Sequence, residues 1–247
     1  MATQEKVIKV INLVKKFGSF VANDHLTFDV FRGEIFGFLG ANGAGKTTAI
    51  RILCGLSYPT SGEVTIDGLD IYRQREQIKK RIGYMSQRFS LYDDLTLGEN
   101  IRFYAGVYGL SREDIRQRTA ALVDKLELHA IEKKLIRELP PGWKQKLAFS
   151  VATIHQPGIV FLDEPTSGVD PITRRQFWEM IYDKAGEGMT VFVTTHYMDE
   201  AEYCGRVSIM SEGKIHALDT PAQLISKYNV RNMDEVFLRI ARNIEAV

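Results

Sequence analysis

The nonapeptide GANGAGKTT, residues 40–48, constrains this 247-residue chain more than any other stretch. It matches G-x-x-x-x-G-K-[ST] in full. It leaves the apolar segment EIFGFLG (34–40) and opens KTTAIRILCGL (46–56), where Ile50, Leu53 and Cys54 share one helical face. Strand, glycine-rich turn and helix in that order aim backbone N–H groups at one point, with the positive end of a helix dipole behind it. A phosphate fits there. Gly40, Asn42, Gly43, Ala44 and Gly45 supply the curl, and Thr48 completes the cradle. Lys46 would put a point charge on β- and γ-phosphates, and the Thr47 hydroxyl is placed to ligate Mg²⁺.

The rest of the chain alternates in kind. VIKVINL (7–13) and HLTFDVF (25–31) alternate apolar and polar residues, as half-buried strands do. GEVTIDG (62–68), RIGYMSQ (81–87), GIVFLDE (158–164), MTVFVTT (189–195) and RVSIMSE (206–212) predict further strands. Between Leu95 and His155 the pattern is helical. Ser111 and Asp114 form a capping-box match, followed by an apolar stripe of Ile115, Leu122, Val123 and Leu126. Helices are also predicted around 172–185 and 220–245. Strands alternating with helices predict an α/β fold with a mainly parallel sheet.

Composition excludes several roles. A net charge of +1 gives no basic footprint for nucleic acid. Cys54 and Cys204 lie far apart, without metal-binding spacing or a disulfide framework. No run of eighteen apolar residues is present, and the opening MATQEKVIKV lacks the apolar stretch of a secretory signal.

Three more segments carry candidate chemistry. GIVFLDEP (158–165) ends an apolar strand in two acids: Asp163 suits Mg²⁺, and Glu164 suits polarisation of an attacking water. Gln87 and His196 also end predicted strands, at the edge of a parallel sheet where ligands collect. Taken alone, either is better explained as an ordinary surface or core residue.

In this order the motifs resemble the ATP-binding cassette (ABC) family over nearly the whole chain. The matching pieces are the phosphate loop at 40–48, Gln87, a signature-like run at 139–143, the acids at 159–164, SGVD at 167–170 and His196. The resemblance implies a P-loop NTPase (RecA-like) core at about 1–88 and 156–219, with an antiparallel N-terminal β-subdomain. It also implies a helical subdomain at about 89–155 and a helical tail at about 220–247. It implies ATP and Mg²⁺ as ligands, with Glu164 as general base and His196 on the γ-phosphate. Gln87 would touch Mg²⁺ and the lytic water, Asp170 would belong to the nucleotide-binding set, and Phe17 would stack on adenine. A plain core aromatic remains the alternative for Phe17.

Segments 91–110 and 234–240 are similar to ATPase subunits of exporters with a separate ABC-2-type permease. The implied setting is peripheral, on the cytoplasmic face of a membrane. RFSLYDDLTL (88–97) is the expected docking stretch, with ordinary core as the alternative for Phe89, Leu91 and Leu95.

The signature departs from the family. Where L-S-G-G-Q is usual, this chain reads LPPGW: Leu139 and Gly142 match, while Pro140, Pro141 and Trp143 do not. A hydroxyl is lost, and neither proline has an N–H to donate. Proline is nevertheless tolerated in a first helical turn, so a helix is still predicted. In the family this run completes the partner's site in a head-to-tail dimer. The implied partner is a second nucleotide-binding domain, identical, different, or joined in one longer chain. Trp143 could pack at the dimer seam or near the ribose. Two other functions stay open: an ATP-gated assembly module with little turnover, and a soluble ATPase outside transport.

Overall fold

The computed structural model describes residues 4–87 and 91–245. In chain order the elements are β1 (Lys6–Phe17), β2 (Phe20–Phe31), β3 (Ile35–Leu39), α1 (Lys46–Leu53), β4 (Ser61–Ile66), β5 (Leu69–Asp70), α2 (Arg75–Arg81) and β6 (Ile82–Met85). Then come α3 (Leu97–Val107), α4 (Arg112–Lys125), α5 (Pro141–Ala152), β7 (Ile159–Asp163), α6 (Pro171–Gly186) and β8 (Thr190–Thr195). The chain closes with β9 (Arg206–Ser211), β10 (Lys214–Asp219), α7 (Pro221–Tyr228) and α8 (Met233–Glu245).

Two sheets result. The first is antiparallel, in the order β2-β1-β4-β5; the second runs β10-β9-β3-β8-β7-β6. Within the second, β9, β3, β8, β7 and β6 are parallel, and only β10 runs against its neighbour. Every residue of β7 and β8 is buried, as expected of central parallel strands covered on both faces. One face meets α1 and the antiparallel sheet through Phe28, Phe36, Phe38, Phe161 and Phe192. The other packs on Phe149, Phe177 and Trp178. A third cluster, including Leu97, Ile101, Val123 and Leu147, joins α3, α4 and α5.

The first two strands are longer than predicted. Lys16 pairs with Val21 and Phe17 with Phe20, continuing the hairpin past the point where apolar alternation fades. Segment α2 gave no signal because REQIKKR buries only Ile78. At Ser111 the hydroxyl caps the Asp114 N–H at 3.1 Å, but the Asp114 carboxylate accepts from that hydroxyl at 2.6 Å rather than from a backbone N–H. The reciprocal box lies instead at Thr96 and Glu99. Among the described residues no helix is long and apolar enough to cross a membrane.

Candidate functional site

The strand order gathers the candidates. Neighbours β3, β8, β7 and β6 are parallel, so their C-terminal ends form one edge. The phosphate loop leaves β3, His196 follows β8, Asp163 and Glu164 end β7, and Gln87 follows β6. A cavity of about 480 Å³ opens there, lined by Asn42, Gly43, Gly45, Lys46, Thr47, Thr48, Gln87 and Glu164, with Phe20 and Ala22 from β2.

The loop is shaped for close backbone approach. Gly45 has φ 103°, and a Cβ there would stand 2.3 Å from the Ala22 carbonyl oxygen. From the antiparallel sheet, the fully buried Asn23 donates to the Gly45 carbonyl at 3.1 Å. Lys46 is buried; its ammonium donates to the carbonyls of Gly40 (2.7 Å) and Ala41 (3.1 Å).

Glu164 is the centre of the polar network. Lys46 Nζ lies 3.2 Å from its Oε1. Gln87 Nε2 donates to Oε2 at 3.0 Å, and His196 Nδ1 lies 3.1 Å from the same oxygen. The Glu164 backbone has φ 49°, a left-handed conformation that costs a residue with Cβ about 1–2 kcal/mol. Thr194 holds it there, accepting the Glu164 N–H at 3.1 Å through its carbonyl and at 3.0 Å through its hydroxyl.

The Thr194 hydroxyl also donates to Asp163 at 2.7 Å, and Thr47 does so at 3.3 Å. Burial raises the Asp163 carboxyl above the usual carboxylate range, and these hydroxyls oppose that shift. A nearby cation would offset the same burial. Asp163 and the Thr47 hydroxyl are hard oxygen donors, of the kind a divalent cation accepts.

Phe17 lies outside the cavity lining. It is exposed, with the Lys15 ammonium 4.9 Å above its ring, and its cross-strand partner Phe20 reaches the cavity instead. Asp170 is used locally as the cap of α6. Its carboxylate accepts from the N–H groups of Ile172 and Thr173 and from the Thr173 hydroxyl, which hold its pKa below the ordinary value.

The signature run forms the predicted helix start. Pro140 caps α5 and Pro141 is its first residue. Leu139 is buried. Gly142 packs so closely on α6 that a Cβ would stand 2.8 Å from Thr173. Trp143 is half-buried against the α3–α5 cluster, with Lys146 5.3 Å above its ring. In the expected docking stretch, Leu91 packs on the core and Phe89 lies outside the described residues. Tyr92 is exposed and meets Phe103 edge-on at 4.9 Å.

Sequence reasoning missed Phe20, Asn23 and Thr194. A buried threonine beside a strand-end histidine was the available signal for Thr194. Asn23 and Phe20 gave none, because their roles depend on how the two sheets meet.

Comparison with known proteins identifies the family. A family model described as ABC transporter matches residues 23–167. The chain is 48% identical over 220 residues to "Probable multidrug ABC transporter ATP-binding protein YbhF" of Escherichia coli K12, covering 89% of this chain and 38% of that protein. It is 32% identical over 250 residues to the linearmycin resistance ATP-binding protein LnrL of Bacillus subtilis 168, covering 98% of this chain and 80% of LnrL. The dimeric ATP-binding cassette MJ0796, in a post-hydrolysis state bound to ADP and Pi, superposes with a TM-score of 0.78 at 26% identity, covering 86% of this chain and 98% of that one. This chain thus spans little more than a third of YbhF but most of LnrL. It belongs to the ABC transporter family, as an ATP-binding cassette.

Proposed function

We propose that the chain binds ATP, hydrolyses its terminal anhydride, and so powers a separate transmembrane permease. The observation that carries this reading is Glu164: a strained, buried carboxylate facing the phosphate loop and held by Lys46, Gln87 and His196. Phosphate oxygens entering the loop would compete with Glu164 for the Lys46 ammonium. The released carboxylate can then accept a proton from a water attacking the γ-phosphorus. Gln87 orients that water, and His196 donates toward the γ-phosphate. Thr47, Asp163 and the Gln87 amide would hold Mg²⁺, which neutralises phosphate charge. The loop glycines, Ala44 and Thr48 supply backbone donors, and Phe20 offers a ring face for the base.

The signature serves a second cassette, head to tail. Its retained donor is the Gly142 N–H, which has no acceptor among the described residues. Losing one preorganised donor costs about 10²–10³ in rate, so LPPGW slows a site without abolishing it. The names of YbhF and LnrL, multidrug transport and linearmycin resistance, support export as the direction. The exposed Tyr92–Phe103 pair is the proposed permease contact, at the cytoplasmic membrane face. Tyr92→Ala should impair transport by the assembled exporter and leave ATP binding unchanged; unimpaired transport would remove that contact.

Pro140 and Pro141 favour a second reading, an ATP-gated assembly module with little turnover. Hydrolysis by the wild type and Glu164→Gln separates the two. We expect wild-type turnover, with about a 10²–10⁴-fold loss in the variant and ATP binding retained. Equal, near-zero rates in both would favour the assembly module.

A further inference from the structure

Four residues that do not line the cavity form a run of contacts that begins at Thr166, near Glu164 in the chain, and ends at His196. Thr166 lies two residues after Glu164 and is fully buried. Its hydroxyl donates to Glu200, also fully buried. The Arg174 guanidinium, from the first turn of α6, stands 3.7 Å from that Glu200 carboxylate and 3.3 Å from Asp199. Arg174 also lies 4.2 Å from the centre of the Tyr197 ring. That ring in turn sits 4.2 Å from the ring of His196, which contacts Glu164.

A buried carboxylate is costly unless it is paired, so its partners are held closely. Here the carboxylate and its partners come from three segments: Glu200 from the turn after β8, Thr166 from the loop after β7, and Arg174 from the start of α6. Removing Arg174 would leave Glu200 uncompensated and take away the plane against which Tyr197 rests. Neither Arg174 Nε nor Glu200 Oε2 has a hydrogen-bond partner among the described residues, so their ion pair is what offsets the burial of both. The same α6 turn carries Thr173, which abuts Gly142 of the signature. One short helical turn therefore contacts both the His196 loop and the signature helix.

We propose that Arg174 and Glu200 are positioning residues. Through Tyr197 and Thr166 they fix His196 and Glu164 relative to each other, and through α6 they tie that geometry to the signature. The effect on turnover rests on the function proposed above. The effect on His196 does not.

The test is histidine-selective NMR on the full chain, which has five histidines, comparing wild type, Arg174→Ala, Arg174→Lys and Glu200→Gln. The His196 signal is identified by its loss in His196→Gln. We expect Arg174→Ala and Glu200→Gln to move or broaden that signal while the other four hold, with Arg174→Lys intermediate. ATP affinity should stay within about twofold while kcat falls about 10–100-fold, the scale of a displacement near 1 Å. An unmoved His196 signal in both variants overturns the proposal. So does movement of all five signals, which marks general loosening. If no chain hydrolyses ATP while the His196 signal moves selectively, the positioning role stands and the hydrolytic reading fails.

Discussion

At the scale of single residues, the site depends on a few conformations that only certain side chains tolerate. Glu164 adopts a left-handed backbone and is kept there by Thr194, whose hydroxyl also serves Asp163. One threonine thus orients both acids. Gly45 is the opposite case, where any side chain at all is excluded. A Cβ at φ 103° would press on the Ala22 carbonyl, which belongs to a paired strand and cannot retreat. Gly45→Ala should lower stability by about 2 kcal/mol or more and abolish ATP binding, measured by denaturant unfolding and nucleotide titration. Wild-type stability with intact binding would show that the loop does not depend on that approach. Asn23→Leu keeps the volume but removes the donor to Gly45, so ATP should bind about tenfold more weakly, a loss of about 1.4 kcal/mol.

At the scale of elements, legibility followed periodicity. The apolar strands 158–164 and 189–195 announced themselves because fully buried parallel strands lack polar alternation. Segment α2 stayed hidden because it is charged and buries only Ile78, and the far ends of β1 and β2 because apolar alternation fades there while backbone pairing continues. The phosphate loop was placed by its spacing, whereas Gln87 and His196 were assigned through the resemblance to the family. Phe20, by contrast, reaches the cavity through a hairpin turn that the sequence pattern did not extend far enough to reveal.

Local devices at this scale can be tested directly. Thr96 and Glu99 cap α3 reciprocally, so Thr96→Ala should cost about 1 kcal/mol of stability in denaturant unfolding. His155, just beyond α5, stacks on Tyr108 at 3.7 Å and places Nε2 3.1 Å from the Ile82 carbonyl. Its Nδ1 is buried without a partner, so a second proton there has nothing to bond. Burial lowers its pKa to about 4, with the Ile82 contact opposing. The unfolded chain takes up that proton near pH 6.5. The neutral ring's contribution is therefore fully present above about pH 6.5 and declines as pH falls toward 4. After allowance for partial exposure the loss is about 2 kcal/mol. In His155→Gln the fall in stability between those pH values should be smaller by about that amount, read by urea unfolding. Parallel pH curves would contradict it.

At the scale of the molecule, the sheet order brings the chain's own phosphate loop, acids, glutamine and histidine together, while its signature turn starts α5, against α6. Under the proposed function, a cassette so arranged needs a second one, whose signature completes the site, to turn over ATP. Repairing the run with Pro140→Ser, Pro141→Gly and Trp143→Gln restores a hydroxyl and two backbone N–H groups, and a homodimer should then turn over about 10²–10³-fold faster. The direct test of this account is ATP turnover by the purified wild-type chain as a function of its own concentration, with Glu164→Gln beside it. The account predicts that turnover per chain rises with chain concentration until dimers saturate, and that Glu164→Gln removes it. Turnover per chain that is independent of concentration, or that survives Glu164→Gln, would contradict it.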